Sequence, residues 1–358
     1  MWSFHNIANS IHIWLGANFN PTMVLLLEMV IVGLLAIGLF AMLGLVLVMM
    51  ERKVSAWMQI RLGPNRVGPK GMLQSFADTL KLLVKEGFTP GGADKLLFNL
   101  APFIAIIVAM LLLAPIAFAR NFQLWDLNIG ILYVSAISSM MVISILMAGW
   151  ASNNKYSLIG AMRSGAQIVS YELSAGLSIL AIVVLTGSLQ VSDIIKAQEN
   201  GWWIFKGHIP VIIAFITFII AVTAETNRAP FDLAEAESEL TAGFHTEYSG
   251  MKFALFFLAE YVNVFIVCAI GATLFLGGWM PLHIGNWQGF NGVMDYIPSS
   301  VWFFGKTFFL IFVIMWFRWT FPRLRIDQLL NLEWKYLLPI SMLNLLLVTL
   351  MAILGWHF

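Results

Sequence analysis

Along the chain, long apolar stretches alternate with short segments that carry nearly all of the charge. Eight stretches approach or exceed the ~20 residues a membrane-crossing helix needs: 23–49, 96–119, 131–151, 166–187, 209–224, 252–277, 299–317 and 336–356. None shows the period-two alternation of a membrane barrel, so all are expected to be helices. Ahead of them, Trp2, Phe4, Ile7, Ile11 and Trp14 recur at helical spacing and predict a short interfacial helix within 1–20. That opening segment has no Lys or Arg before an apolar core and does not read as a cleaved signal peptide. No internal repeat and no appended hydrophilic domain are visible. The expected fold is all-α: one polytopic membrane domain over 1–358, its transmembrane bundle over 23–356, with long loops at 50–95 and 225–251.

The basic residues orient this bundle. Sixteen of the 20 fall in loops on one side: eight in 50–95, two in 152–165, two in 225–252 and four in 318–335. Arg120, Lys196 and Lys206 lie on the other side, and Lys306 lies inside the seventh stretch. The positive-inside rule makes the first side cytoplasmic and sends both termini outward, as expected in a bacterial inner membrane.

Composition narrows the function. Hydrophobic residues make up 60% and charged residues 11%, with a mean hydropathy of +0.85. A soluble domain carries ~25% charge, so a water-soluble globule is excluded. A net charge of +1 offers nucleic acid no attraction. A single cysteine, Cys268, excludes a disulfide framework and a Cys-ligated cluster within the chain. The six histidines show no paired ligand spacing, and no dinucleotide or P-loop fingerprint is present. Gly63–Gly71 is glycine-rich, but its prolines remove backbone donors and make it a poor phosphate cradle. Any electron used here must arrive from another polypeptide.

What remains is carboxylates at membrane depth. Glu172 is expected about six residues, roughly 9 Å, inside the fourth span. Glu260 is expected about eight residues, roughly 12 Å, inside the sixth, and Glu225 ends the fifth. A lipid-facing charge costs a few kcal/mol, so these groups must face the bundle interior. Similar depth suggests one shared polar layer able to exchange protons. Glu28, near the outer end of the first span, reads as an interfacial residue. The segment after the fifth span adds Asp232, Glu235, Glu237, Glu239 and Glu247. Asp232 and Glu235 resemble a capping box, but the remaining acids exceed what capping uses. Glu51, Arg52, Arg61 and Asp78 are the chemistry-bearing positions of the long basic loop, where 54–62 is expected to lie in the interface and shape an apolar groove.

These segments resemble a known family. Glu51-Arg52-Lys53, then Gln59-Ile60-Arg61-Leu62-Gly63-Pro64-Asn65-Arg66-Val67-Gly68-Pro69 and Ala77-Asp78, are similar to the first signature of the H-type membrane subunit of proton-translocating NADH:quinone oxidoreductase, respiratory complex I. Glu225-Thr226-Asn227-Arg228-Ala229-Pro230-Phe231-Asp232 resembles the second signature. Ser170-Tyr171-Glu172-Leu173 and Phe321–Leu329 also match, and the likeness runs from about residue 24 to 356. Ala234 and Ala236 depart from it, standing where the family pattern has a Pro and a Gly.

The resemblance implies quinone as substrate, with FMN and iron–sulfur clusters held by partner subunits and no cofactor bound by this chain alone. It implies partners among the peripheral quinone-site and iron–sulfur subunits and the small membrane-arm subunits, within membrane lipid. Arg52, Arg61, Glu51 and Asp78 would line or support the quinone chamber. Glu172, Glu225, Asp232, Glu235, Glu237, Glu239, Glu247 and Glu260 would handle protons. Competing readings are the related membrane component of an energy-converting hydrogenase or deazaflavin dehydrogenase, a stand-alone transporter, and a passive membrane anchor.

Overall fold

The computed structural model describes residues 4–199, 201–234, 237–283 and 287–356, with backbone alone for 4–8, 237, 238 and 288. In chain order the helices are α1 (Phe4–Asn18), α2 (Pro21–Met58), α3 (Gln74–Val84), α4 (Lys95–Leu112), α5 (Gly130–Ala151), α6 (Lys155–Thr186), α7 (Val191–Lys196), α8 (Trp203–Lys206), α9 (His208–Glu225), α10 (Glu237–Leu240), α11 (Gly250–Phe275), α12 (Gln288–Asp295), α13 (Ser299–Thr320), α14 (Ile326–Leu332) and α15 (Leu338–Ile353). Among the described residues, eight spans are long and apolar enough to cross a membrane, the last running unbroken from Ile326 to Ile353 through a π-helical turn at Glu333–Leu337. The only strands among the described residues, β1 (Ala117–Ala119) and β2 (Phe122–Gln123), form a small hairpin after α4. The chain is an all-α polytopic membrane protein.

Helix α11 is the centre of the bundle. Every residue from Tyr261 to Met280 is buried, as suits a helix that is apolar all round. Its C-terminal end is tied by Lys306 of α13. The Lys306 Nζ donates to the carbonyls of Leu276 (2.6 Å), Gly278 (2.9 Å) and Met280 (2.5 Å), and lies 4.2 Å from the Trp202 ring. A cation at a helix C-terminus satisfies carbonyls that have no intrahelical donor.

Several ends differ from expectation. Helix α2 continues to Met58, so 54–58 is an extension of the first span and not a separate interfacial segment. Helix α6 begins at Lys155, inside the segment 152–165 expected to be loop, because Asn154 caps it by accepting from the Tyr156 amide at 2.9 Å. Glu172 therefore sits seventeen residues, roughly 26 Å, from the start of α6, near the middle of that helix. The helix α4 stops at Leu112, short of 119, where the hairpin takes over.

Helix α6 also receives the acidic loop. Gly160 packs on the turn at Gly243–His245, and a Cβ there would stand 2.9 Å from the Gly243 Cα. The Gly63–Gly71 loop is closed by Lys53, whose Nζ donates to the carbonyls of Pro64 (2.5 Å) and Lys70 (2.7 Å). Gly71 has φ 76 and no room for a side chain, since a Cβ would lie 2.1 Å from the Pro64 carbonyl oxygen. Replacing Gly160 by Val is expected to lift the 243–245 turn off α6 at a cost of about 1–3 kcal/mol. A lower unfolding temperature in detergent, with faster proteolysis of the 226–249 loop, checks this.

Candidate functional site

Two buried charges, Glu51 and Arg228, meet where α2, α11 and α13 approach the loop after α9. Arg228 is buried there. Its guanidinium donates to the Glu51 carboxylate at 3.1 Å and pairs with Glu260 at 3.3 Å, while Arg318 of α13 pairs with the other Glu51 oxygen. The Tyr261 ring lies 4.3 Å beneath Arg228. Burial works against the charge on Arg228, but Glu51 and then Glu260 hold its guanidinium well above the ordinary arginine range. Glu51, Arg228, Tyr261 and Arg318 close on a void of about 10 Å³.

Two further cavities extend this cluster into the bundle. One, of about 20 Å³, is lined by Glu260, Asn263, Asn227 and Glu225. The next, of about 40 Å³, is lined by Glu225, Asn263, Glu172, Ser135 and Ser138. Glu225 and Asn263 line both. Each has room for water, and each presents several polar partners. Glu172 accepts a hydrogen bond from Ser139 of α5. Glu51, Glu260, Glu225 and Glu172 thus follow one another along adjoining ion pairs and cavities. They start near the end of α2 and finish at mid-α6.

The acidic loop is anchored to α6. Gln167 is buried and its side-chain amide donates to the carbonyls of Ala224 and Phe231, both at 2.7 Å. Asn227 adopts φ 50 just past the end of α9 and lies 3.2 Å from the same amide. Asp232 pairs with Arg323 at 2.9 Å, Glu239 with Arg163 at 2.6 Å, and Glu247 accepts from Asn154 at 2.6 Å. Asp232, Glu239 and Glu247 therefore serve partners in the segment after α13, on α6 and at its cap. Glu235 lies outside the described residues, as does the side chain of Glu237. Glu28 pairs with His12 at 2.6 Å near the N-terminus, away from this site.

A larger cavity of about 300 Å³ lies between α2, α3 and α11. Ala41, Gly44, Leu45 and Val48 line one wall, Met251, Leu255 and Leu258 another, and Arg52, Asp78 and Lys81 its polar end. Arg52 pairs with Asp78. Burial pushes the Asp78 carboxyl up, but the hydrogen bond and charge of Arg52 outweigh it and hold Asp78 below the usual range. Arg61 does not line this cavity; it sits exposed beyond α2 and donates to the Gln59 side chain at 2.5 Å. Glu51 does not line it either, since one residue of helical rotation turns it into the Arg228 cluster. Its neighbour Arg52 faces the cavity.

Besides Arg228, which the sequence offers only as part of a signature, sequence reasoning passed over three residues that the structure packs at this site or beside it. Arg318 reads in the sequence as a topology-setting cation, and its pairing with Glu51 has no local signal. Gln167 reads as an ordinary span residue. Glu333 falls in a basic loop segment, yet it is buried within the last span. A polar side chain four or more residues inside an apolar run is the available cue for Gln167, once α6 is known to start at Lys155.

A family model described as NADH dehydrogenase matches residues 29–349. The H-type subunit of NADH-quinone oxidoreductase from Bacteroides thetaiotaomicron is 57% identical over 358 residues, covering 100% of each chain. The protein of the same description from Phocaeicola vulgatus is 53% identical over the same span, again 100% of each. That of Carboxydothermus hydrogenoformans is 47% identical over 346 residues, 96% of this chain and 94% of its own. The first two matches run the full length of both chains, and the family model takes in every cavity-lining helix described above. The chain therefore belongs to the family of H-type membrane subunits of NADH-quinone oxidoreductase.

Proposed function

We propose that this protein is the membrane subunit of a proton-pumping NADH:quinone oxidoreductase in which quinone reduction drives protons through buried carboxylates. The observation that carries the reading is the continuity of polar groups. The Arg52–Asp78 pair at the cavity mouth is one residue away, along α2, from Glu51 of the buried cluster. From Glu51 the line passes through Arg228, Glu260 and Glu225 to Glu172.

The 300 Å³ cavity suits a quinone: its walls are apolar for an isoprenoid tail, and its polar end presents a charged pair to a headgroup. Electrons would come from iron–sulfur and flavin centres in partner subunits docked on the side that bears the basic loops. That side would be cytoplasmic, with both termini outward in a bacterial inner membrane. A change of charge at the headgroup would act first on Arg52 and Asp78, then through the adjoining turn of α2 on Glu51. Protonation of Glu51 or Glu260 would loosen the hold on Arg228 and pass the change to Glu225 and Glu172. Asp232, Glu239 and Glu247, with Glu235 and Glu237, would feed protons from the loop side.

Three outcomes follow. With assembly verified on a native gel, Glu172→Gln is expected to lower NADH:quinone reduction and proton pumping together by about tenfold, about 1.4 kcal/mol of barrier; wild-type rates for both would remove Glu172 from the coupling path. Arg228→Met leaves Glu51 and Glu260 buried beside an unfilled site, a loss of about 3–5 kcal/mol. The complex is expected to fail to assemble, and adding Glu51→Gln in the same chain to restore part of the yield, read by immunoblot of membranes. Ala41→Phe narrows the large cavity. It is expected to raise the quinone KM several-fold while NADH oxidation by ferricyanide, a water-soluble acceptor, stays at the wild-type rate.

A further inference from the structure

Glu333 takes no part in the line just described. It lies at the start of the π-helical turn between α14 and α15, with 1% of its surface exposed. Turns of this kind recur at functional sites, because the extra residue re-aims a side chain without breaking the helix. Here the carboxylate points at α6. The Ser174 hydroxyl donates to Glu333 Oε2 at 3.0 Å, and Glu333 Oε1 is buried without a hydrogen-bond partner. Among the described residues no cation is ion-paired with it.

The surroundings continue as hydroxyls. Ser178, one turn further along α6, donates to the Ser174 carbonyl at 2.9 Å and lies 2.7 Å from the Thr217 hydroxyl of α9. Asn344 of α15 is buried, and its side-chain oxygen also lacks a partner. The seam between α6, α9 and α15 is therefore polar from Glu333 to mid-bundle. It runs away from the side with the basic loops. Glu172 and Ser174 are two residues apart on α6, so they face nearly opposite ways. One helix carries the end of the Glu172 line on one face and the partner of Glu333 on the other.

We propose that Glu333 is a second protonation site of this protein, loaded and unloaded during turnover through Ser174. An unpaired carboxyl in a dry seam with one serine donor is most economically held as the acid, and a lone carboxylate there would lack any compensating charge. Release through Ser174 is an exchange. The O–H bond of the acid breaks as the Ser174 oxygen gains a proton, and Ser174 passes its own proton to a water molecule that reaches it during turnover, so the serine ends as it began. A displacement of α6 that follows a charge change at Glu172 moves Ser174 with it, which gives the redox cycle a handle on Glu333. The inference rests on the proton-handling reading of α6 for its trigger, but it has its own readout.

The test is infrared difference spectroscopy of the purified complex, NADH-reduced minus oxidised, in H2O and D2O. The wild type is expected to show a carboxylic-acid carbonyl band that shifts down in D2O. Glu333→Gln should abolish that band in complex whose assembly is verified on a native gel. Ser174→Ala should move the band upward by removing its donor, and serves if the Gln variant fails to assemble. An identical difference spectrum in wild type and Glu333→Gln, or no band shift in Ser174→Ala, overturns the proposal and leaves the seam as helix-packing glue. Glu172→Gln separates the two readings. Loss of the Glu333 band in that variant ties it to the Glu172 line. Retention of the band together with wild-type rates would overturn the Glu172 reading while sparing Glu333.

Discussion

A guanidinium buried in a membrane bundle must be neutralised where it sits, and Arg228 is held in this way by Glu51 from α2 and Glu260 from α11. Arg318 from α13 supplies the second cation that Glu51 needs, and the Tyr261 ring takes the open face of Arg228. Three spans and the loop after α9 thus share one electrostatic knot. Charges at this depth tolerate no vacancy, because loss of one partner leaves another uncompensated. That requirement acts together with apolar packing in setting α2, α11 and α13 against the acidic loop.

Around the knot, the apolar scaffold does a different job. Helix α11 is buried along most of its length and fixes the depth at which Glu260 and Asn263 stand. Lys306 secures its far end by satisfying three carbonyls at once. Helix α6 is the second organiser. It bears Glu172 toward α5, Gln167 toward the acidic loop and Ser174 toward α15, so the carboxylate line, the loop and the Glu333 seam are all referred to one rigid rod.

Much of this is legible in the sequence. Eight spans are visible because lipid leaves long apolar runs no alternative to helix. Glu172, Glu225 and Glu260 stand out because charge is costly there. Helix ends are less visible. The first turns of α6 carry Lys155, Arg163 and Gln167, which lower the hydropathy, yet they fold as helix against the Gly243 turn. The same masking hides Glu333, whose neighbours include Lys335 and Arg325. Pairings are not legible at all. Glu51 with Arg318 joins positions 267 residues apart, and only the packed bundle brings them together. The shared membership of Glu225 and Asn263 in two cavities is likewise a property of space, not of spacing.

Glu51, Arg52 and Lys53 follow one another at the end of α2, each about 100° further round the helix. The first grips Arg228, the second grips Asp78 at the cavity mouth, and the third grips the carbonyls of the Gly63–Gly71 loop. The end of α2 is in effect a camshaft with three lobes. Because the three contacts leave one turn of one helix, the loop on the surface, the polar end of the large cavity and the buried charge keep a fixed angular relation.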